Sequence, residues 1–153
     1  MVQIDKINLG KVLQSLLLVF LLCFFIPAAN NFSVKSINEG NYYSENYTRV
    51  MEKGYATELE MKFLEEMEEK YLADSELRNS MRAEYYSILI FSLFCLCSIV
   101  FFLGLKNILN LPFYVFSTIS VLAILLSSSS FGQGIIWSIC VCFSFAFSQV
   151  RKN

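Results

Sequence analysis

The residues best suited to chemistry in this chain are five cysteines and a run of glutamates. Cys95 with Cys97 and Cys140 with Cys142 form pairs whose thiols could exchange disulfides, while Cys23 stands apart. On a helix, residues two apart point about 200° away from each other, so neither pair presents both thiols to one substrate. Glu65, Glu66, Glu68 and Glu69 could ligate a cation. Successive helical carboxylates diverge, however, and the stretch lacks the glycine turn and alternating spacing of a calcium loop, so a solvated face is the simpler reading. Histidine is absent, which removes His-dependent triads, His-bound metals and imidazole pH sensing together. Gly132-Gln133-Gly134 follows no strand and lacks phosphate-cradle spacing. No catalytic, cofactor-binding or metal-ligating residue emerges; the expectation is a protein that is not an enzyme and carries no cofactor.

The cysteines sit in apolar runs, and the composition explains why. Of 153 residues 56% are hydrophobic and only 16% are charged, whereas soluble domains hold roughly 45–50% apolar and about 25% charged residues. Most of the chain is therefore expected in lipid. Crossing roughly 30 Å of hydrocarbon takes about 17–25 apolar helical residues. Four uncharged stretches approach that length: 12–29, 86–105, 111–126 and 135–150. Pro27 is expected to close the first, and Asn110 with Pro112 to cap and open the third. Small and polar residues over 127–134 are expected to turn the chain between the third and fourth, leaving those two as a hairpin. The first stretch also fits a cleaved signal peptide, with Lys6 and Lys11 before its apolar core and Ala28 and Ala29 behind it. Against cleavage, Pro27 or Ile26 would stand where a small residue is wanted.

A four-span chain with a long first loop is similar in topology to vitamin K epoxide reductase and related quinone-linked thiol oxidases, and the two cysteine pairs invite that comparison. What the resemblance implies is a Cys-x-x-Cys pair at one helix end, relayed to by a loop cysteine. Here the spacing is Cys-x-Cys and residues 30–85 contain no cysteine, so the redox role does not carry over. The thiols are expected to stay free.

Charge sets the expected orientation. Lys6, Lys11, Lys106, Arg151 and Lys152 fall on one side with Asp5 as the sole acid, a net +4. Residues 28–85 hold seven basic and twelve acidic residues, a net −5. The basic side is expected inside, which makes both termini cytoplasmic, as in a bacterial inner membrane protein. With a net charge of −1 and no basic patch, nucleic acid is not an expected partner. No ionisable group other than thiols and tyrosines lies within a span, which disfavours a coupled transporter or a proton channel.

The chain thus divides into 1–29 (cytoplasmic N-terminus and first span), 30–85 (extracytoplasmic linker and amphipathic helical segment) and 86–153 (three further spans and a cytoplasmic C-terminus). Residues 30–48, rich in Asn, Ser and Tyr, read as an irregular linker. They include two glycosylation tripeptides, Asn31-Phe32-Ser33 and Asn46-Tyr47-Thr48, which matter only in a eukaryotic secretory pathway. From Arg49 onward Met51, Tyr55, Leu59, Phe63, Met67 and Tyr71 recur every fourth residue, predicting one amphipathic helix with acid-before-base pairs at Glu58/Lys62, Glu66/Lys70 and Asp74/Arg78. A four-residue step outruns the 3.6-residue turn, so the stripe drifts around the helix and cannot meet one flat partner along its whole length. Asp74 or Ser75 is expected to cap a following helix in which Leu77, Met81 and Tyr85 lead into the second span.

Within the membrane, Cys140, Ser144 and Ser148 share a face at i, i+4, i+8 and suit close helix approach; Ser117, Thr118 and Ser120 offer the third span a similar surface. The expected fold is all-α and polytopic, with four transmembrane helices and an extracytoplasmic helical segment between the first and second. The expected function is protein–protein contact, of the immunity or exclusion kind that guards a cell against a pore-forming toxin, phage or incoming conjugative plasmid. The stripe from Met51 to Tyr71 is its partner-binding candidate, and packing on a neighbouring helix is the competing reading of the same residues. An accessory subunit of a larger complex and an oligomeric small-solute pore are the alternatives; beyond lipid, the expected partner is a protein, a second copy included.

Overall fold

The structure is a computed structural model and describes residues 9–38 and 41–151. Among them it holds six helices and no strand: α1 (Leu9–Asn38), α2 (Tyr42–Glu52), α3 (Glu58–Ala73), α4 (Ser75–Leu105), α5 (Phe113–Ser127) and α6 (Phe131–Val150). The all-α expectation is met. Three helices, α1, α4 and α6, are long and apolar enough to cross a membrane, which marks a membrane protein. The fourth apolar helix, α5, has 15 residues, or about 22 Å of rise. The chain forms two compact units, one of Met1–Asn30 with Ile90–Asn153 and one of Asn31–Leu89.

In the first unit α5 and α6 form the expected hairpin. Its turn is tighter than 127–134: Ser130 is the N-cap of α6, accepting from Gln133 N, so Phe131 to Gly134 are already helical. Gly134 stands against Leu125, where a β-carbon would meet the Leu125 side chain at 2.8 Å. Asn110 does not cap α5. Pro112 holds the N-cap position without a side-chain bond, and the Asn110 amide instead donates to Gln14 Oε1 on α1 at 3.1 Å. The reversal before it turns on Asn107, whose φ of 59° is one that asparagine tolerates, while Ile108 N and Leu109 N both donate to Leu103 O. Ser144 Oγ donates to the Cys97 carbonyl on α4 at 2.5 Å, and Gly104 lies against Ser148. Phe116 and Phe145, both fully buried, stack with ring centroids 3.8 Å apart. Sixteen residues after Gln14 on α1, the buried Asn30 accepts from Gln133 Nε2 at 2.9 Å.

Pro27 does not end the first helix. Its ring removes the amide that would bond to the Cys23 carbonyl, yet α1 runs on to Asn38, with Ile26, Ala29 and Asn30 all buried around it. The second unit is helical where a linker was expected. Asn and Ser carry no apolar period, but here they bond across the unit: Ser33 is buried, Ser36 Oγ donates to Glu84 Oε1, and Asn41 Nδ2 donates to Met81 Sδ. Asn41 also caps α2, accepting from Tyr43 N at 3.0 Å.

The single helix expected from Arg49 onward is broken at 53–57. Gly54 takes a φ of +75°, which ends α2. Thr57 then starts α3 with a capping box, its hydroxyl accepting from Glu60 N while Glu60 Oε2 accepts from Thr57 N at 3.0 Å. Asp74 caps α4 as expected, accepting from Leu77 N at 2.9 Å. Of the three ion pairs anticipated, Glu58 and Lys62 meet at 3.2 Å, and Arg78 turns its Nε to the backbone carbonyl of Asp74.

Glu60 makes the α3 start sensitive to acid. A side-chain bond from Lys53, then bonds from the Thr57 backbone and hydroxyl, hold its carboxyl at about 2, against an ordinary 4.5. A depressed carboxylate contributes stability above its unfolded pKa and loses it as pH falls through the folded one. Protection factors for the first-turn amides of α3 should therefore be flat down to about pH 4.5 and fall between there and about 2. Glu60→Gln should remove this step; an unchanged pH profile in that variant would refute the assignment.

Candidate functional site

The structure divides the Met51 to Tyr71 stripe in two. Met51 ends α2, Tyr55 lies in the 53–57 connection, and Leu59, Phe63, Met67 and Tyr71 are on α3. The first four are exposed, at 48%, 73%, 80% and 39% respectively. Met67 and Tyr71 are half-buried, and Tyr71 stacks on Tyr43 of α2 with centroids 5.8 Å apart. The helices α2 and α3 pack together, and the buried residue of α3 is Leu64, which lies outside the every-fourth pattern. Four consecutive members of the stripe are thus left on the surface of the Asn31–Leu89 unit at its α2–α3 turn.

Charge around this surface is acidic. Glu58 is engaged by Lys62 and Glu60 by Lys53, whereas Glu65, Glu66 and Glu69 have no ion pair among the described residues. Burial, then the Glu68 carboxylate and Tyr47, push the Tyr43 hydroxyl above its usual range, so it remains a neutral phenol at physiological pH. A groove of about 600 Å³ runs between the last turns of α1 and the length of α2, where Lys35 and Arg49 are matched by Glu45 and Glu52. Balanced charge and an open mouth give it no preference for an anion or a cation.

The five cysteines are free thiols. Among the described residues no three acidic, Cys or His side chains gather in a metal-binding cluster. Cys140, Ser144 and Ser148 lie on α6; Ser144 and Ser148 meet α4 at Cys97 and Gly104, and Cys140 is half-buried. Sequence reasoning missed the Gln14–Asn110 and Asn30–Gln133 bonds, for which no local signal exists. The chain matches no known protein family, no curated protein and no solved structure.

Proposed function

We propose that this chain is a four-span inner membrane protein with both termini cytoplasmic, which acts by protein–protein contact through its extracytoplasmic Asn31–Leu89 unit, in the manner of immunity or exclusion proteins. The observation that carries this reading is that Met51, Tyr55, Leu59 and Phe63 are each exposed along a segment dense in charge. Clustered apolar exposure rimmed by charge is the usual mark of a contact surface. Met and aromatic residues are the types such contacts use.

Two facts support the topology. Within the first unit Gln14 meets Asn110 and Gly104 meets Ser148, while Asn30 meets Gln133 beyond the α5–α6 turn. These contacts support a common end for Lys11, Lys106 and Arg151, the arrangement that the +4 against −5 split favours. The short α5 is preceded by the buried Leu109 and Leu111, which lengthen its apolar path.

The test is a photo-crosslinking residue at Leu59 or Phe63 in native membranes, with Glu69 as control, followed by mass spectrometry. A heterologous partner captured at Leu59, and lost when Phe63→Ser is added at unchanged protein level and protease resistance, is the expected result. Reporter fusions after Asn153 and within residues 40–70 check the sidedness. No capture, loss that tracks unfolding, or an exported C-terminus would overturn the reading.

A further inference from the structure

The same unit contains a second, separate feature, a pocket of about 290 Å³ lined by Ile37, Tyr71, Arg78, Met81, Arg82, Tyr85 and Tyr86. Its two cations stand out because the surrounding segment has twelve acids to seven bases, yet among the described residues no carboxylate lines the pocket. Arg78 and Arg82 are one helical turn apart on α4, and Tyr85 continues the same face. Glu76 and Glu84 fall more than about 100° round the helix from Arg78. The acids nearby are also otherwise engaged: Glu84 accepts from Ser36, and the Asp74 carboxylate caps α4.

Arg78 is half-buried, and its one side-chain hydrogen bond among the described residues, from Nε to the Asp74 carbonyl, leaves the two Nη groups for another acceptor. Neither Arg78 nor Arg82 forms an ion pair among the described residues. A partly desolvated guanidinium without a carboxylate favours an anion, and its planar fork of donors matches phosphate oxygens two at a time. Tyr71, Tyr85 and Tyr86 line the same pocket, and a tyrosine hydroxyl is a donor of the right kind for a phosphate oxygen.

We propose that this pocket binds a phosphate group, with Arg78 and Arg82 as its principal ligands and the tyrosines as its wall. Position on the helix favours the phosphate of a lipid headgroup. Immediately after Tyr85 and Tyr86, α4 becomes an uninterrupted apolar run, and tyrosine and arginine at such a boundary sit at headgroup depth. The volume accommodates a phosphate with its ester substituents, and the apolar Ile37 and Met81 suit the first carbons beyond it.

The experiment uses the full chain, delipidated in mild detergent, and counts retained lipid by native mass spectrometry. Phosphatidylglycerol, phosphatidylcholine and diacylglycerol are offered separately, the last having the same tails without phosphate. Wild type should retain one phospholipid molecule at least tenfold better than diacylglycerol. The Arg78→Gln/Arg82→Gln variant should lose that preference, and Arg78→Lys/Arg82→Lys should keep part of it, with helical content by circular dichroism unchanged in both. Competition by millimolar glycerophosphate or inorganic phosphate would assign the site to a soluble phosphate; no competition, with phospholipid preference intact, assigns it to lipid. Equal retention of diacylglycerol and phospholipid with no soluble phosphate bound, a comparison that needs no variant, would overturn the proposal. So would a Gln variant that binds as wild type does.

Discussion

Gly104→Leu is expected to unseat α4 from α6 and to give the largest loss of stability of any single change in the first unit. A β-carbon at Gly104 would overlap Ser148 Oγ and fall 2.9 Å from Ser148 Cβ. The hydroxyl can rotate, although it would then give up its bond to the Phe145 carbonyl at 2.6 Å; the Cβ cannot move without the helix. Between helices in lipid, close packing replaces the hydrophobic effect as the main adhesive, so a separation of about an ångström removes much of what holds the pair. One turn away it would also stretch the Ser144–Cys97 bond. Gly104→Ala should cost roughly 1–3 kcal/mol as an overpacked contact, and leucine more. Denaturant titration in mixed micelles measures this, and Ser148→Gly should recover part of the loss in Gly104→Ala by vacating the colliding atoms. Wild-type resistance of Gly104→Leu would show that the contact does not hold the helices.

How far the sequence foretold this arrangement depended on the range of the interaction. Apolar runs of 16 to 20 residues foretold four helices, three of which, α1, α4 and α6, are long and apolar enough to cross a membrane, because exclusion of charge from lipid is read residue by residue. The Cys140, Ser144, Ser148 face was visible in spacing, but its partner on α4 was not: nothing in a lone Gly104 announces which helix approaches it. Pro27 illustrates the reverse error. A proline is a local stop signal, and burial of Ile26, Ala29 and Asn30 in the first unit overrides it. In the second unit the Gly54 turn and the Thr57-Glu58-Leu59-Glu60 box were present in the sequence, and the every-fourth pattern runs straight across both. That pattern has a physical basis in α3 alone, where the drift of a four-residue step carries it from the exposed Leu59 and Phe63 to the half-buried Met67 and to Tyr71, which stacks on Tyr43 of α2. Residues 30–38 and 41–48 were illegible for another reason: they are tied by hydrogen bonds to residues far away in sequence, such as Ser36 to Glu84 and Asn41 to Met81.

The second large effect is expected at the aromatic pair inside the α5–α6 hairpin. Phe116 and Phe145 are fully buried and stack at an interplanar angle of 9°. In a soluble core, replacing such a phenylalanine by alanine costs about 3–5 kcal/mol, of which part is the transfer of apolar surface from water. In a bilayer that part largely vanishes, because the unpacked side chain meets lipid instead of water. The cavity remains: at ~24 cal/mol per Å³, a void of roughly 100 Å³ corresponds to about 2–3 kcal/mol. Phe116→Ala and Phe145→Ala should each lower stability by that amount in micelle or bilayer unfolding assays. The double variant should lose less than their sum, since both open one cavity and break one ring contact. Phe143 on the same helix supplies the comparison, being 73% exposed in the unit and free to face lipid. Its alanine variant should be near neutral if α6 is embedded as proposed. A Phe143→Ala loss as large as that at Phe145 would mean that this face is covered by protein, either another segment of this chain or a neighbouring copy, and the α5–α6 hairpin would then have to be placed inside a larger helical assembly.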